Sequence, residues 1–124
     1  MTVFEAKLKH EGLVYYHLDE VQGGIIPIYL RNISLVCPFF LDFGVRIVYM
    51  LLMSWAGEQA RKDLVLGMGR DLATETSGVV IKIFDYRVEH RDVRLPNVLW
   101  NPEIRNVVLV DFERSQILKQ VQVL

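Results

Sequence analysis

With 124 residues the chain has room for one domain or a piece of a larger one, and 52% apolar with 23% charged residues makes it globular rather than disordered. A net charge of −1 provides no basic field, so neither nucleic acid nor an anionic membrane surface is an expected partner. Cys37 is the only cysteine, which excludes an internal disulfide and a secreted disulfide scaffold, so a cytoplasmic or nuclear location is expected. The first ten residues interleave Glu5, Lys7, Lys9 and His10 with apolar residues and contain no signal core. The longest apolar stretch, residues 47–56, is far short of the ~20 residues that span a bilayer.

In chain order, residues 4–21 predict a helix. Leu8, Val14, Tyr15, Leu18 and Val21 approximate one apolar face, and Lys9, Glu11, Asp19 and Glu20 are among its polar positions. Gln22-Gly23-Gly24 is the expected stop. Residues 25–30 predict a strand whose Pro27 places it at an edge or at its first residues. Residues 38–44 predict an aromatic-rich turn. Residues 46–55 predict a second strand, whose nearly continuous apolar run argues burial on both faces. Trp55 and Trp100 are expected in or near the core.

From residue 58 to about 88 the pattern turns helical, as two helices interrupted around residues 67–69. Val79, Val80, Ile83 and Phe84 supply the buried stripe of the second, and Ser77-Gly78 weakens it. Residues 97–100 and 107–110 read as short strands joined by a turn at Asn101-Pro102-Glu103. The pattern of residues 115–123 assigns them no type.

Between the last helix and the hairpin lies His90-Arg91-Asp92-Val93-Arg94-Leu95-Pro96-Asn97, and the hairpin ends in Asp111-Phe112-Glu113. His, Asp and Asn at these offsets, followed by an apolar strand ending in Asp-Phe, resemble the catalytic loop H-R-D-x-x-x-x-N and the metal-binding segment of kinases. The runs around Gly23-Gly24-Ile25-Ile26-Pro27, Leu51-Leu52-Met53-Ser54-Trp55-Ala56-Gly57-Glu58 and Val110-Asp111-Phe112-Glu113-Arg114-Ser115 extend the likeness over nearly the whole chain. It resembles a protein-kinase-like domain, most closely of a family common in filamentous fungi.

The fold class this implies is α+β, a partial protein-kinase-like fold. It would comprise an αC helix, two N-lobe strands, a hinge, the first helices of the C-lobe, the catalytic loop and the hairpin. Residues 1–56 would be a remnant of the N-lobe and residues 57–124 a partial C-lobe. The resemblance implies Asp92 as the group that orients the acceptor hydroxyl, His90 as the brace of the loop, and Arg94 as a contact to the transferred phosphoryl group. It implies Asn97 and Asp111 as ligands of Mg²⁺, whose preference is for oxygen. ATP would meet Glu11 on the helix, with Glu5 the other acidic candidate, and the backbone of Ser54, Trp55 and Ala56 at the hinge.

Three departures from the family pattern carry expectations of their own. No Gly-rich loop and no strand Lys precede the helix, Glu113 stands where Gly is usual, and no A-P-E follows. The expectation is therefore a slice of the fold, absent at both ends, with weak or no catalysis and with a nucleotide and a protein substrate or protein partner as the binding candidates. The alternatives are a non-catalytic pseudokinase interaction module, or a relative of small-molecule phosphotransferases of the choline and aminoglycoside type, toward which Asp111-Phe112-Glu113 leans.

Overall fold

A computed structural model describes residues 3–40, 46–60 and 71–119. Helix α1 runs from Val3 to His17 and is followed by a 3₁₀ turn at Asp19–Val21. Strands β1 (Tyr29–Phe40) and β2 (Arg46–Met53) pair antiparallel, with Tyr29 opposite Met53 and Ile33 opposite Met50. A second sheet has the order β3-β5-β6, from β3 (Glu58–Gln59), β5 (Val98–Asn101) and β6 (Asn106–Leu109). Helix α2 (Leu72–Asp85) lies between β3 and β4 (Val88–Glu89) in the chain, and β4 pairs with β7 (Gln116–Ile117).

The α+β class and the 98–109 hairpin agree with the sequence. Elsewhere long-range pairing overrode local pattern. The first helix ends at His17 because the Leu18 N–H is shared between the Val14 and Tyr15 carbonyls and the chain tightens into the 3₁₀ turn. Residues 25–28 are not in the strand; Ile26 makes only a single bridge to Gln22, and β1 begins at Tyr29. Pro38 to Phe40 of the predicted turn lie within β1 of a two-stranded sheet, where the missing donor of Pro38 is tolerated, and residues 41–44 of that turn lie outside the described residues. Glu58 and Gln59, predicted helical, extend the hairpin sheet by pairing with Trp100 and Leu99. Residues 61–70, which include the rest of that predicted helix, also lie outside the described residues.

Helix α2 is well specified by its sequence. The Asp71 carboxylate caps it, accepting from the Thr74 N–H at 3.2 Å and the Thr74 hydroxyl at 2.8 Å. Leu72, Val79 and Ile83 bury its inner face, Val80 is half-buried, and Phe84 points outward. The core continues through Val14, Tyr15 and Leu18 of α1, Ile25 and Ile26, Val98, Trp100, Val107 and Leu109 of the hairpin, and Phe112. Leu109 N–H donates to the Ile25 carbonyl at 2.9 Å, tying the hairpin to the segment after α1.

Gly12 interrupts α1 where β1 crosses it. A Cβ there would lie 2.9 Å from Tyr29 Oη and 3.3 Å from Asn32 Nδ2. A helix-interior glycine costs ~1 kcal/mol relative to alanine, and here it permits the close approach that Asn32 completes by donating to the Leu8 carbonyl.

Candidate functional site: a cleft beside a polar loop

The loop after β4 is organised by His90, whose ring is buried. The Asp92 backbone N–H donates to His90 Nδ1 at 3.1 Å, which requires the ring proton on Nε2; that atom donates to the Val110 carbonyl at 2.9 Å. The same imidazole meets the edge or face of Phe112 at a centroid distance of 4.7 Å. One side chain thus links the loop to the strand that delivers Asp111.

Asn97 provides a second link. It is buried, its side-chain Nδ2 donates to the Asp92 backbone carbonyl at 3.0 Å and to Asp92 Oδ2 at 3.1 Å, and its backbone carbonyl accepts from the Val110 N–H at 3.0 Å. Arg94 Nε sits 3.0 Å from Asp92 Oδ1. The Asp92 carboxylate is therefore held between Asn97 and Arg94, with only 11% of its side chain exposed.

Two backbone positions here are strained. Arg91 (φ 68°) and Asp111 (φ 63°) are left-handed, a conformation that costs most residues ~1–2 kcal/mol. At Arg91 it reverses the chain between the buried His90 and Asp92. At Asp111 it turns the carboxylate off the end of β6, and Asp tolerates this because its side chain hydrogen-bonds locally, here to the Glu113 N–H at 3.4 Å.

Helix α1 meets this segment through Glu11, whose Oε2 accepts from the Phe112 N–H at 3.0 Å. Lys7, one turn earlier, pairs with Glu113 at 2.9 Å, and His10 Nε2 bonds the Ser115 carbonyl at 2.6 Å. Burial pushes the Glu11 carboxyl above its usual 4.5; the Phe112 N–H opposes this, while the Asp111 and Glu113 carboxylates push it further up and His10 opposes them. Burial, and then the same Glu11 and Asp111 carboxylates, push the neighbouring Tyr15 hydroxyl up as well.

The folded state therefore holds the Glu11 proton more tightly than the unfolded chain, so stability contributed at this position falls as pH rises above 4.5. Glu11→Gln keeps an oxygen for the Phe112 N–H and removes the charge. The variant is expected to melt above wild type, with a gain that is smallest at and below pH 4.5 and widens as pH rises above it. A gain that shrinks as pH rises in paired melting curves would reverse this reading of the carboxylate.

Glu11 and Asp111 also face a cleft of about 490 Å³, within the size range of ligand pockets. Its other walls are Leu51, Met53, Ser54, Trp55, Ala56 and Gly57 on one side and Leu99 and Val110 on the other. The apolar run of β2 was expected to be buried on both faces. Instead Leu51, Leu52 and Met53 are half-buried, and the alternate residues Leu51 and Met53 line this cleft. Trp100 is buried as expected, whereas Trp55 is 57% exposed at the cleft wall, a correction to its predicted core position.

Ser54 is fixed by donating its N–H to the Ile28 carbonyl (2.8 Å) and accepting the Ile28 N–H on its hydroxyl (2.9 Å). Among the described residues, the backbone groups of Trp55 and Ala56 make no hydrogen bond. They are donors and acceptors at the edge of an apolar slot.

The residues singled out in the sequence thus fall into two adjoining groups. Glu11, Ser54, Trp55, Ala56 and Asp111 share the cleft; His90, Asp92, Arg94 and Asn97 form the loop beside it, joined through Val110 and Phe112. Arg94 lines a separate recess of about 210 Å³ with Leu72, Thr76, Val93 and Leu95. Leu51, Met53, Leu99 and Val110, which also line the cleft, are not among the site residues singled out in the sequence. The alternation Val98-Leu99-Trp100, with Val98 and Trp100 buried in the core, is the signal that Leu99 faces the other way. Among the described residues no group of three or more His, Cys, Asp or Glu side chains is gathered for a metal, and no helix is long and apolar enough to cross a membrane.

No family model matches the chain. It is 33% identical over 112 residues to the meiotic driver SPOK2 of Podospora anserina, a match that covers 90% of this chain and 14% of that protein. Among solved structures it superposes on the Cydia pomonella granulovirus kinase PK-1 with a TM-score of 0.54 at 17% identity, over 88% of this chain and 39% of the kinase. It superposes on WbdD with a TM-score of 0.51 at 16% identity, over 96% of this chain and 26% of the other. The chain therefore spans a minor part of each of these proteins. At these identities the structural likeness is one of fold: an α+β arrangement compatible with part of a kinase-like fold.

Proposed function

We propose that the chain is the cleft-bearing part of a protein-kinase-like domain of ATP- and Mg²⁺-dependent phosphotransferase ancestry. The observation that supports this reading is the adjacency of the Glu11–Asp111 cleft and the His90–Asn97 loop, coupled through Val110 and Phe112. In this reading α1 is the αC helix, β1 and β2 are N-lobe strands, and residues 54–57 are the hinge, where the Trp55 and Ala56 backbone groups take the edge of an adenine ring. Residues 1–56 and 57–124 are then parts of the two lobes.

The donor set fits a divalent cation that prefers oxygen. The Asn97 amide nitrogen is committed to Asp92, which leaves its Oδ1 to face a cation, and Asp111 offers a carboxylate. Mg²⁺ held by Asn97 and Asp111 would supply charge neutralisation for bound phosphates. Asp92, held from both sides, orients an acceptor hydroxyl on a protein or a small alcohol, and Arg94 can exchange its exposed pairing with Asp92 for a phosphoryl oxygen. His90 touches neither nucleotide nor acceptor; it positions Asp92.

The test is thermal melting of the chain with ATP, with and without Mg²⁺. A ligand at a hundred times its Kd stabilises by ~2.7 kcal/mol, so a Mg²⁺-dependent rise in Tm is expected, and Asp111→Ala is expected to abolish it. Absence of any shift in a folded sample would favour the second reading, a non-catalytic pseudokinase-type interaction module. One observation favours that second reading: among the described residues, Glu11 meets a backbone N–H and no Lys or Arg, so a nucleotide's phosphates find no cation there.

A further inference from the structure

Helices α1 and α2 each contain an interior glycine, and the fold accounts for only the first. Gly12 makes room for Tyr29 and Asn32, whereas a Cβ on Gly78 would meet nothing within 4 Å. Glycine inside a helix is destabilising relative to alanine, so one with no internal neighbour points to an approach from outside the chain. Gly78 lines a recess of about 230 Å³ that shares no residue with the Glu11–Asp111 cleft or with the recess at Arg94. Its apolar wall is Ile25 and Val79, each buried, and its polar lining includes Lys82, Asn106 and Glu75. Among the described residues Lys82 makes no hydrogen bond or ion pair, although Glu75 and Asp85 lie on the same helix. Asn106 Oδ1 accepts the Val107 N–H at 3.0 Å, which leaves Nδ2 to donate.

We infer that this recess is a docking site for an extended peptide segment of a protein partner, which presents an aliphatic side chain beside an acidic one. The aliphatic group covers Ile25 and Val79, and the carboxylate pairs with Lys82 and the Asn106 Nδ2. Charge complementarity selects the acid, because Lys82 is a lining cation without a partner in the chain. Glu75, two helical turns before Lys82 and ~10 Å away along the axis, disfavours a second acid at the far end. The recess is smaller than the ~300–1,000 Å³ of small-molecule sites, so one side chain fills it. The remaining contacts come from peptide main chain crossing Gly78, where no side chain holds it off the helix. None of this depends on the nucleotide reading of the cleft.

The experiment is titration of the full, isotope-labelled chain with the capped peptide acetyl-Gly-Leu-Glu-Gly-amide, followed by the backbone amide resonances. Controls are the peptides with alanine for leucine and with glutamine for glutamate, and isocaproate, which has the aliphatic group and the carboxylate but no main chain. Saturable shifts are expected at Gly78, Lys82 and Asn106. Affinity is expected to fall about tenfold for the alanine peptide, and about threefold for the glutamine peptide, the size of a partly exposed ion pair. Lys82→Gln is expected to erase the preference for glutamate over glutamine. Gly78→Ala, whose Cβ meets no atom of the chain, is expected to melt above wild type and still bind the peptide about fivefold or more weakly. Absence of saturable shifts at the recess, or a Gly78→Ala protein that binds as tightly as wild type, overturns the inference. Equal affinity of wild type for the glutamate and glutamine peptides overturns the role of Lys82. Isocaproate binding as tightly as the peptide overturns the peptide occupant and makes the ligand a small carboxylate.

Discussion

Phe112→Ala is expected to cost ~3–5 kcal/mol of folding stability, the usual range for truncating a fully buried aromatic. Phe112 is 0% exposed, and its ring stands edge-on to Tyr15 at 5.2 Å and to His90 at 4.7 Å. Tyr15 in turn stacks on Tyr29 at 5.6 Å, so Phe112 completes an aromatic column from β1 through α1 to the loop. A cavity at its position removes the surface against which His90 is set, and with it the placement of Asp92. Denaturant unfolding should show the loss. Phe112→Leu, which refills part of the volume, is expected to recover about half of it. A loss under ~1 kcal/mol for the alanine variant would mean that α1 and the loop are not packed through this ring.

Gly57→Ala is the second large effect, expected at roughly 3 kcal/mol from backbone strain and overpacking together. Gly57 has φ 136°, which side-chain-bearing residues rarely adopt, and a Cβ there would overlap the Trp100 carbonyl and carbon. The overlap is with backbone, so no rotamer change relieves it. Either the hinge segment moves away from β5, or Glu58 and Gln59 lose their pairing with Trp100 and Leu99. Both changes displace the Ser54–Gly57 wall of the cleft, so ligand affinity should fall together with Tm. A Gly57→Ala protein that melts like wild type would show that this wall yields, and the hinge could not then be a rigid binding edge.

Much of this was legible in the residues. The alternation in 98–100 and 107–109 with Asn101-Pro102 between them specified the hairpin, because side-chain period and turn chemistry are both local. The stripe of Val79, Val80 and Ile83 specified α2 for the same reason, although Phe84, read as part of it, is exposed. The offsets of His90, Asp92, Asn97 and Asp111 placed four polar residues on a loop and a strand end that the fold brings side by side. What failed was the reading of strand limits and of apolar runs. Tyr29–Phe40 is a strand because β2 lies beside it, and Leu51 and Met53 are only half-buried at a cleft, Met53 also touching the core, because among the described residues β1 and β2 form a two-stranded sheet.

Local sequence thus determined the α+β class, the hairpin, the second helix and the polar loop, since each rests on period, capping or turn residues within a few positions of one another. The tertiary structure alone decided that Glu11 reaches the Phe112 N–H 101 residues away, that Trp55 is exposed, and that Arg91 and Asp111 take left-handed backbones. The same packing decided that two carboxylates face one apolar cleft without a described cation. Those features arise from close approach between distant segments, where packing and hydrogen bonding outweigh the preference of any single residue.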